Sequence, residues 1–495
     1  MRRSLILALA LAASQLALIA PHPAVAGEEP EVYPLTFPIV GDVYYSDTFG
    51  ACRGTGCSRT HLGNDLMTYG LKGVPVVAAH DGVVRNTSTA LGSECCAIWG
   101  ITADDGWETW YIHLNNDNPG TDDGKGWGFA PGVAPGANVS EGQLIGWVGD
   151  SGNAEGTGPH LHFELHKPDG TVISPYASLQ AAERVDLPRI WGANRFVTAA
   201  NIARDGYPGG ASTVFVTTGR AFPDALAVGA ASAALQLPIL LTEPDVLPSS
   251  SLSAIEAMSP ERIFVVGGPM AVSDQVVDEL SAVAPVERLG GANRYQTAAI
   301  VADALFSDPS VVYLAYGYSY PEAVSAAVAA GSNAGPLLLT DDDTLVGSTR
   351  QYLKSLTDVE VVVVGDSSAV DEAVLEEIEA LNSVSVVKRI GAPDPSGISV
   401  AVSQATFPGG ADIVYLATAA EYADALAGAS LAGTDGAPVL LLTDEGLDAV
   451  DDEIVRLGAS ETIVLGGPAA VPYRWILPMW NRAVGNTMPM WNSNG

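Results

Sequence analysis

The sequence predicts a multidomain protein in which an antiparallel all-β domain precedes an α/β module of three related repeats. At 495 residues the chain is too long for one hydrophobic core. Residues 44–180 contain short strands between glycine-rich turns, whereas strands and helices alternate after Arg189. Every histidine and cysteine lies before Lys167. Metal or acid–base chemistry is therefore expected in the first half of the chain.

Residues 1–26 have the pattern of a secretory signal peptide. Arg2 and Arg3 precede an apolar run over residues 5–19, and Ala24-Val25-Ala26 forms a small-residue cleavage site. The run is too short for a membrane anchor, and no later stretch reaches the roughly 20 apolar residues that a spanning helix needs. We expect an exported protein with no membrane span after cleavage, in which residues 27–43 form a linker.

The formal net charge of −34 is shared by both halves of the chain. Such a charge repels the phosphates of nucleic acid, so we expect no nucleic-acid partner. A solvated acidic surface in an extracellular medium is the simpler interpretation.

The first domain is organised around residues 158–165. Leu161, Phe163 and Leu165 alternate there with His160, His162 and Glu164, which predicts a strand with the two imidazoles on one face. Residues 73–79, 82–84, 109–114 and 143–149 are further expected strands, separated by turn residues. This pattern predicts an all-β domain.

His61 and Asp65, with one histidine of the His160/His162 pair, form a candidate zinc site. A catalytic zinc ion takes three ligands of this kind and keeps a position for water. The other histidine of the pair and His113 would then act as general bases or stabilise an oxyanion. A structural pair of core histidines is the alternative, and the combination of motifs favours the metal site.

Several neighbouring residues have open roles. Glu164 either orients an imidazole or is a plain exposed carboxylate, and His80 and His166 are expected at the surface or behind the ligands. The insert at residues 115–124 is rich in Asp and Asn, which suggests calcium. Because the EF-hand spacing is absent, a turn beside the substrate is preferred.

Four cysteines in an exported protein suggest disulfides. Adjacent Cys95 and Cys96 rarely bond each other, so we expect them to pair with Cys52 and Cys57. A cysteine-rich zinc site is less favoured, because no C-x2-C pair occurs.

The second half contains one β-α unit three times. In the first copy, residues 213–217 and 238–241 read as buried strands, residues 223–235 as an alanine-rich helix, and residues 263–266 as a strand before a Gly-Gly-Pro turn. Residues 222–225 align with 320–323 and 422–425, residues 237–241 with 335–339 and 437–441, and residues 266–269 with 364–366 and 465–468. We therefore expect domain-sized repeats at 189–287, 288–388 and 389–480, followed by a tail at 481–495.

The motifs of the first domain resemble the lysostaphin-type (LytM-like) zinc peptidases. They are His61-Leu62-Gly63-Asn64-Asp65 and residues 73–79, 81–84, 111–114, 142–146 and 158–163. The resemblance covers residues 44–179 and implies a compact antiparallel β scaffold that cuts peptide bonds in peptidoglycan.

Carried over residue by residue, the resemblance assigns roles to five side chains. His61, Asp65 and His162 would bind zinc, and His113 and His160 would be the catalytic histidines. The five positions of the motif are all filled. The cysteines have no place in the pattern.

The repeats resemble the cell wall-binding repeat 2 family, of which three copies form a pseudo-threefold α/β module on anionic wall polymers. Residues 189–195 and 288–294 carry the resemblance, which weakens at residues 389–394. The module itself is strongly acidic, so binding would need local arginine clusters or bridging divalent cations.

Together these features predict a secreted, wall-associated monomer that hydrolyses peptidoglycan peptides with zinc and binds an anionic wall polymer through its repeats. The alternative is a non-catalytic or latent wall-binding scaffold whose zinc site is occluded.

Overall fold

Two regions of different architecture follow one another along the chain. The computed structural model describes residues 31–88, 96–126, 128–220, 222–483 and 490–492. The expected signal peptide and most of the expected tail lie outside these residues. In the part of the chain that is described, no helix combines the length and apolar character that crossing a bilayer requires.

The first region consists mainly of short strands. They are β1 (Thr36–Phe37), β2 (Cys52–Arg53), β3 (Arg59–Thr60), β4 (Asn64–Met67), β5 (Leu71–Lys72), β6 (Pro75–Val77), β7 (Gly82–Val84), β8 (Ile98–Thr102), β9 (Glu108–Ile112), β10 (Asn138–Val139), β11 (Leu144–Trp147), β12 (His160–His166), β13 (Val172–Ile173) and β14 (Glu183–Arg184). A 3₁₀ turn at Gly152–Ala154 and the helix α1 (Tyr176–Ala181) interrupt them.

Strand β12 pairs with three other strands of the main antiparallel sheet. The sheet has the order β10-β7-β8-β9-β12-β13, and β4 also pairs with β12. Leu161, Phe163 and Leu165 are fully buried on one face of β12, as the alternation predicts. His160 and His162 therefore lie on the opposite face of the sheet. On that face they are next to side chains of β4 and β9, the strands that pair with β12.

Part of the expected linker belongs to the first region. Phe37 and Ile39 are buried in its core, and β1 pairs in parallel with β14. Burial of the apolar residues at 35–40 in the core is more favourable than their exposure in a linker. They therefore pack against the first region although the segment also contains prolines. The packed region therefore begins before residue 44.

The disulfide pairing differs from the expectation. Cys52 is bonded to Cys57, and the bond closes the hairpin of β2 and β3. Cross-pairing of these cysteines with Cys95 and Cys96 is therefore wrong, because the turn brings Cys52 and Cys57 to a Cα separation of 5.0 Å. Cys95 lies outside the described residues.

Each repeat has the element order β-α-β-α-β-α-β-α. The first contains β15 (Arg189–Ile190), α2 (Arg195–Gly206), β16 (Thr213–Thr218), α3 (Phe222–Leu235), β17 (Ile239–Thr242), α4 (Ser249–Met258), β18 (Arg262–Val266) and α5 (Asp274–Ser281). The second contains β19 (Val286–Leu289), α6 (Arg294–Leu305), β20 (Val311–Tyr316), α7 (Tyr320–Ser332), β21 (Leu337–Thr340), α8 (Gly347–Ser355), β22 (Val359–Val364) and α9 (Glu372–Glu379). The third contains β23 (Val384–Ile390), α10 (Pro395–Thr406), β24 (Ile413–Thr418), α11 (Tyr422–Asp435), β25 (Val439–Leu442), α12 (Leu447–Leu457), β26 (Glu461–Leu465) and α13 (Tyr473–Ala483).

The repeats exchange their first strands. The three four-stranded sheets have the orders β17-β16-β18-β19, β21-β20-β22-β23 and β25-β24-β26-β15, and their strands pair in parallel. The sheets of the first and second repeats thus each take a strand from the next repeat. Strand β15 of the first repeat completes the sheet of the third, so the exchange closes on itself.

The alanine-rich helices α3, α7 and α11 pack on one another in all three pairs. Their small side chains allow a close approach: a Cβ added to Gly331 of α7 would lie 2.3 Å from the Cβ of Ala233 of α3. The central helices therefore need glycine and alanine at their contacts.

Equivalent arginines of the three repeats bind backbone carbonyls. Arg189, Arg288 and Arg389 donate to the carbonyl oxygens of Gly466, Gly267 and Gly365 at 2.8–2.9 Å. These arginines hold the glycine turns in place, so part of the basic charge of the module is committed to its own structure.

Helix α13 and the last described residues contact the first region. Leu477 and Trp480 of α13 pack with Val40 and Val77. A final strand, β27 (Trp491–Asn492), pairs antiparallel with β5. The expected tail thus contributes at least one strand to the first region.

Candidate metal centre

Three donor atoms meet at the floor of a cleft of about 690 Å³. His61 Nε2 lies 2.9 Å from His162 Nδ1, and Asp65 Oδ1 lies 3.0 Å from each of these nitrogens. The sheet register produces this arrangement, because His162 on β12 is the direct partner of Asp65 on β4.

The outer nitrogens of both imidazoles are engaged elsewhere. His61 Nδ1 lies 2.9 Å from the carbonyl oxygen of Thr48, to which it can only donate. His162 Nε2 lies 3.0 Å from Oε1 of Glu164, which accepts a hydrogen bond from the N–H of the neutral ring. The nitrogens that face each other in the neutral rings are therefore both unprotonated. Two lone pairs and a carboxylate oxygen at this separation repel one another unless a proton or a metal ion lies between them.

The donor set fits zinc. Zinc–ligand bonds of 2.0–2.1 Å in a tetrahedral site separate the ligand atoms by about 3.3 Å, so the three atoms would need to move apart by only a few tenths of an ångström. A tetrahedral ion held by these two imidazoles and one carboxylate would keep a fourth position for water or substrate.

The imidazoles and the carboxylate of the site shift one another's pKa. Burial opposes ionisation of Asp65, but hydrogen bonds with His162 and His61 outweigh it and hold the pKa of Asp65 well below its usual range. Burial likewise opposes protonation of His162, whereas the hydrogen bonds with Asp65 and Glu164 raise its pKa. Asp65 is therefore ionised and ready to bind a metal at neutral pH.

His113 reaches the cleft through an unusual backbone conformation. It follows β9, in which Ile112 pairs with His162, so an extended His113 would point away from the site. Its φ of +64° takes it out of the strand, and its ring centroid lies 4.9 Å from that of His160. This left-handed conformation costs about 1 kcal/mol or more for a residue other than glycine.

Among the described residues, none forms a hydrogen bond with Nε2 of His113 or of His160, and Nε2 of His160 lies 3.8 Å from Oδ1 of Asp65. Their Nδ1 atoms lie 2.8 Å from the carbonyl oxygens of Ser151 and Gly158, respectively, which fixes the proton on Nδ1 in the neutral rings. Burial, and after it the neighbouring His160, lower the pKa of His113 to about 4. His113 is thus neutral at pH 7 and can accept a proton at Nε2.

The neighbouring residues now have defined places. Glu164 is buried and bridges His162 and His166, at 3.0 and 2.8 Å, so it is not an exposed carboxylate. His166 is buried behind the ligands and stacks on Trp110. His80 is also buried, but it contacts Thr109 and a backbone carbonyl outside the cleft.

The acidic insert encloses a lysine. Asp117, Asp122 and Asp150 each place a carboxylate oxygen 2.7 Å from Nζ of Lys72, a side chain that is only 1% exposed. Burial opposes its charge, but the three carboxylates outweigh this and raise the pKa of Lys72. The lysine occupies the position between these carboxylates that a calcium ion would take.

Two cleft residues were missed in the sequence analysis. Arg53 donates to Oδ2 of Asp65 at 2.7 Å, and Arg59 also lines the cleft. Alternation along Arg59-Thr60-His61 would have placed Arg59 on the same face as His61. No local pattern indicates Arg53, whose position depends on the hairpin.

Known families cover most of this chain. Residues 59–175 match Peptidase family M23, and residues 189–277, 288–375 and 389–475 match cell wall binding domain 2, which together make up more than half of the sequence. The chain belongs to the cell wall binding domain 2 family, whose three matches alone make up more than half of it. An M23 domain with an antiparallel sheet is followed by three cell wall binding repeats.

Two curated Bacillus subtilis (strain 168) proteins are similar to parts of this chain. The N-acetylmuramoyl-L-alanine amidase LytC is 26% identical over 61% of the chain. The L-Ala–D-Glu endopeptidase is 35% identical over 30% of the chain. The chain spans 59% and 43% of the lengths of these relatives.

Among solved structures, Cwp6 from Clostridium difficile has a similar fold. The match has a TM-score of 0.53 at 18% identity and covers 78% of this chain and 65% of that one. At this identity the likeness concerns the fold alone.

Proposed function

We propose that this chain is an exported zinc metalloendopeptidase that hydrolyses peptide bonds in peptidoglycan and is held noncovalently at the cell wall by its three repeats. The similar L-Ala–D-Glu endopeptidase acts on a peptide bond, which supports the reaction class. Three wall-binding repeats support the location.

The observation that carries the proposal is the triangle of His61 Nε2, Asp65 Oδ1 and His162 Nδ1. Its edges are 2.9–3.0 Å, and in their neutral form both imidazoles direct a nitrogen lone pair into it. An open cleft leads to the triangle, with His113 and His160 beside it. A purely structural site would not need two further imidazoles at its open side.

These residues divide the work of hydrolysis. His61, Asp65 and His162 would hold zinc, which when bound supplies Lewis acidity to a peptide carbonyl and to water. Nε2 of His113 or His160 accepts the proton of the attacking water and returns it to the leaving amine. The other imidazole would donate a hydrogen bond to the oxygen that becomes negative after its Nε2 has taken up a proton from solvent. Glu164 and the Thr48 carbonyl hold the ligand rings in orientation.

We further propose that the three repeats form a pseudo-threefold module that binds an anionic wall polymer. The closed exchange of β15, β19 and β23 and the mutual packing of α3, α7 and α11 support this symmetry. Since Arg189, Arg288 and Arg389 are committed to backbone carbonyls, bridging divalent cations or other arginines must supply the positive charge.

Two alanine variants of the full chain test the proposed site. His162→Ala should abolish stoichiometric zinc binding and the clearing of purified peptidoglycan, because it removes one of three ligands. His113→Ala should keep the zinc ion but lower turnover at least about a hundredfold. Zinc content by elemental analysis and clearing with and without a chelator are the measurements.

His80→Ala is the matched control, since this buried histidine lies outside the cleft. Turnover that survives in both His162→Ala and His113→Ala would refute the site. Bound zinc without clearing by the unaltered protein, on several wall types, would favour the latent scaffold.

A further inference from the structure

The hairpin of β2 and β3 brings two arginines together at the wall of the cleft. Arg53 and Arg59 are direct partners across the hairpin, so their side chains emerge on the same face. Like charges at such a position destabilise a hairpin. The arrangement therefore suggests that an anion between the two guanidinium groups offsets this repulsion.

The two arginines are incompletely paired within the protein. Arg53 uses one nitrogen on Asp65, while its Nε is buried without a hydrogen-bond partner. Arg59 is exposed and has no ion-pair partner among the described residues. In a chain with a net charge of −34, two such adjacent cations at one cleft are a local exception.

The position of the hairpin is fixed relative to the metal centre. The Cys52–Cys57 disulfide closes it at one end. At the other end, β3 continues directly into His61, whose amide donates to the carbonyl of Ala51 at 2.9 Å. Arg59 is two residues before His61 and shares its face of the strand. An anion bound by the arginines would thus lie beside the donor triangle.

We propose that Arg53 and Arg59 form a carboxylate-binding subsite, which selects acidic peptides whose free carboxylate lies within one or two residues of the bond that is cut. This inference rests on the proposed peptidase function. A carboxylate matches the planar guanidinium fork, and opposed side chains of a hairpin can both reach one carboxylate. The subsite is assigned to the substrate because it opens into the same cleft as the metal centre.

A matched pair of substrates tests the subsite in the full-length protein. One is a peptide containing L-Ala–D-Glu, and the other differs only in an amide at the free carboxylate. We expect kcat/KM to be about tenfold to hundredfold higher for the acid, the usual effect of a charged hydrogen bond. Arg59→Gln should lower kcat/KM for the acid to the value for the amide, so that the preference for the acid disappears.

Arg59 is the appropriate position because it does not touch Asp65. Arg59→Lys keeps the charge but loses the fork, so it should retain part of the preference. Arg85→Gln is the control for net charge, since Arg85 pairs with Glu108 outside the cleft. Two results would overturn the proposed subsite. One is equal kcat/KM for acid and amide in the unaltered protein, and the other is an equal fall in kcat/KM for both substrates in Arg59→Gln.

Binding separates this inference from the proposed reaction. The dipeptides L-Ala–D-Glu and L-Ala–D-Gln, each with its terminal carboxyl group amidated so that only the first carries a free carboxylate, can be titrated into the zinc-loaded protein and into Arg59→Gln by calorimetry. Tighter binding of the acid that disappears in Arg59→Gln supports the subsite even if no bond is cleaved. Equal binding of both dipeptides overturns it, whereas a protein that binds no zinc and cleaves neither peptide fails as a peptidase.

Discussion

Asp424 is a buried carboxylate of the repeat module to which no described residue donates a hydrogen bond. Burial is the largest influence on it and raises its pKa to about 6, while Arg195 opposes this shift and Glu421 adds to it. In the unfolded chain the pKa is near 3.8. The folded state thus holds the proton to higher pH, and stability falls as the pH rises from about 4 to 6.

Asp424→Asn should therefore stabilise the protein above pH 6. The expected gain at pH 7.5 is about 1–3 kcal/mol, the free energy that corresponds to a shift of this size, and it should vanish near pH 4. Denaturant unfolding at both pH values measures it. Asp412→Asn is the control. A variant that is no more stable than the parent at pH 7.5 would contradict the prediction.

Single residues also define the limit of prediction from sequence. Alternation identified His160, His162 and Glu164 as one face, and the structure places them there. The same alternation puts His113 on the wrong face, because only the backbone at φ +64° turns it into the cleft. The proton positions on His61 and His162 depend on Thr48 and Glu164, and only Glu164 is near its partner in sequence.

At the scale of elements, the contact between β4 and β12 assembles the metal ligands. Gly63 lies between His61 and Asp65, and a Cβ added there would be 2.2 Å from the carbonyl oxygen of Phe163. The carbonyl oxygen belongs to the backbone of β12 and cannot move aside as a flexible side chain could. A side chain at position 63 would therefore push β4 away from β12.

Gly63→Ala should consequently weaken zinc binding at least about tenfold, since Asp65 on β4 would move relative to His162. A competition titration with a chromogenic chelator measures the affinity. Gly209→Ala is the matched control, because a Cβ there meets no atom within 4 Å. Unchanged zinc affinity in Gly63→Ala would show that the two strands approach each other less closely.

Element positions were more predictable than element partners. The strand expected at 213–217 is Thr213–Thr218, and the helix expected at 223–235 is Phe222–Leu235. The exchange of β15, β19 and β23 was not predicted, because a parallel strand has the same apolar pattern whichever sheet it joins. The Asp394 cap of α10 likewise replaces the Asn194 and Asn293 caps without any loss of the helix.

At the scale of the molecule, helix α13 connects the wall-binding repeats to the peptidase domain. One face of the helix, with Ile476 and Met479, belongs to the core of the third repeat. Leu477 points the other way, is 1% exposed and packs against Val40 and Val77 of the first region. Sequence periodicity marks α13 as amphipathic, but it cannot identify what covers the second apolar face.

Leu477→Asp should separate the two regions without unfolding either of them. A charge in this contact costs several kcal/mol unless the surfaces part and water reaches it. We expect a larger radius of gyration by X-ray scattering and separate melting transitions for the two regions. Zinc binding should remain, because the donor triangle is formed within the first region. Val455→Asp on α12, at a side chain that is 57% exposed, is the control. An unchanged radius and a single transition in Leu477→Asp would mean that the regions are held together by other contacts, such as the pairing of β27 with β5.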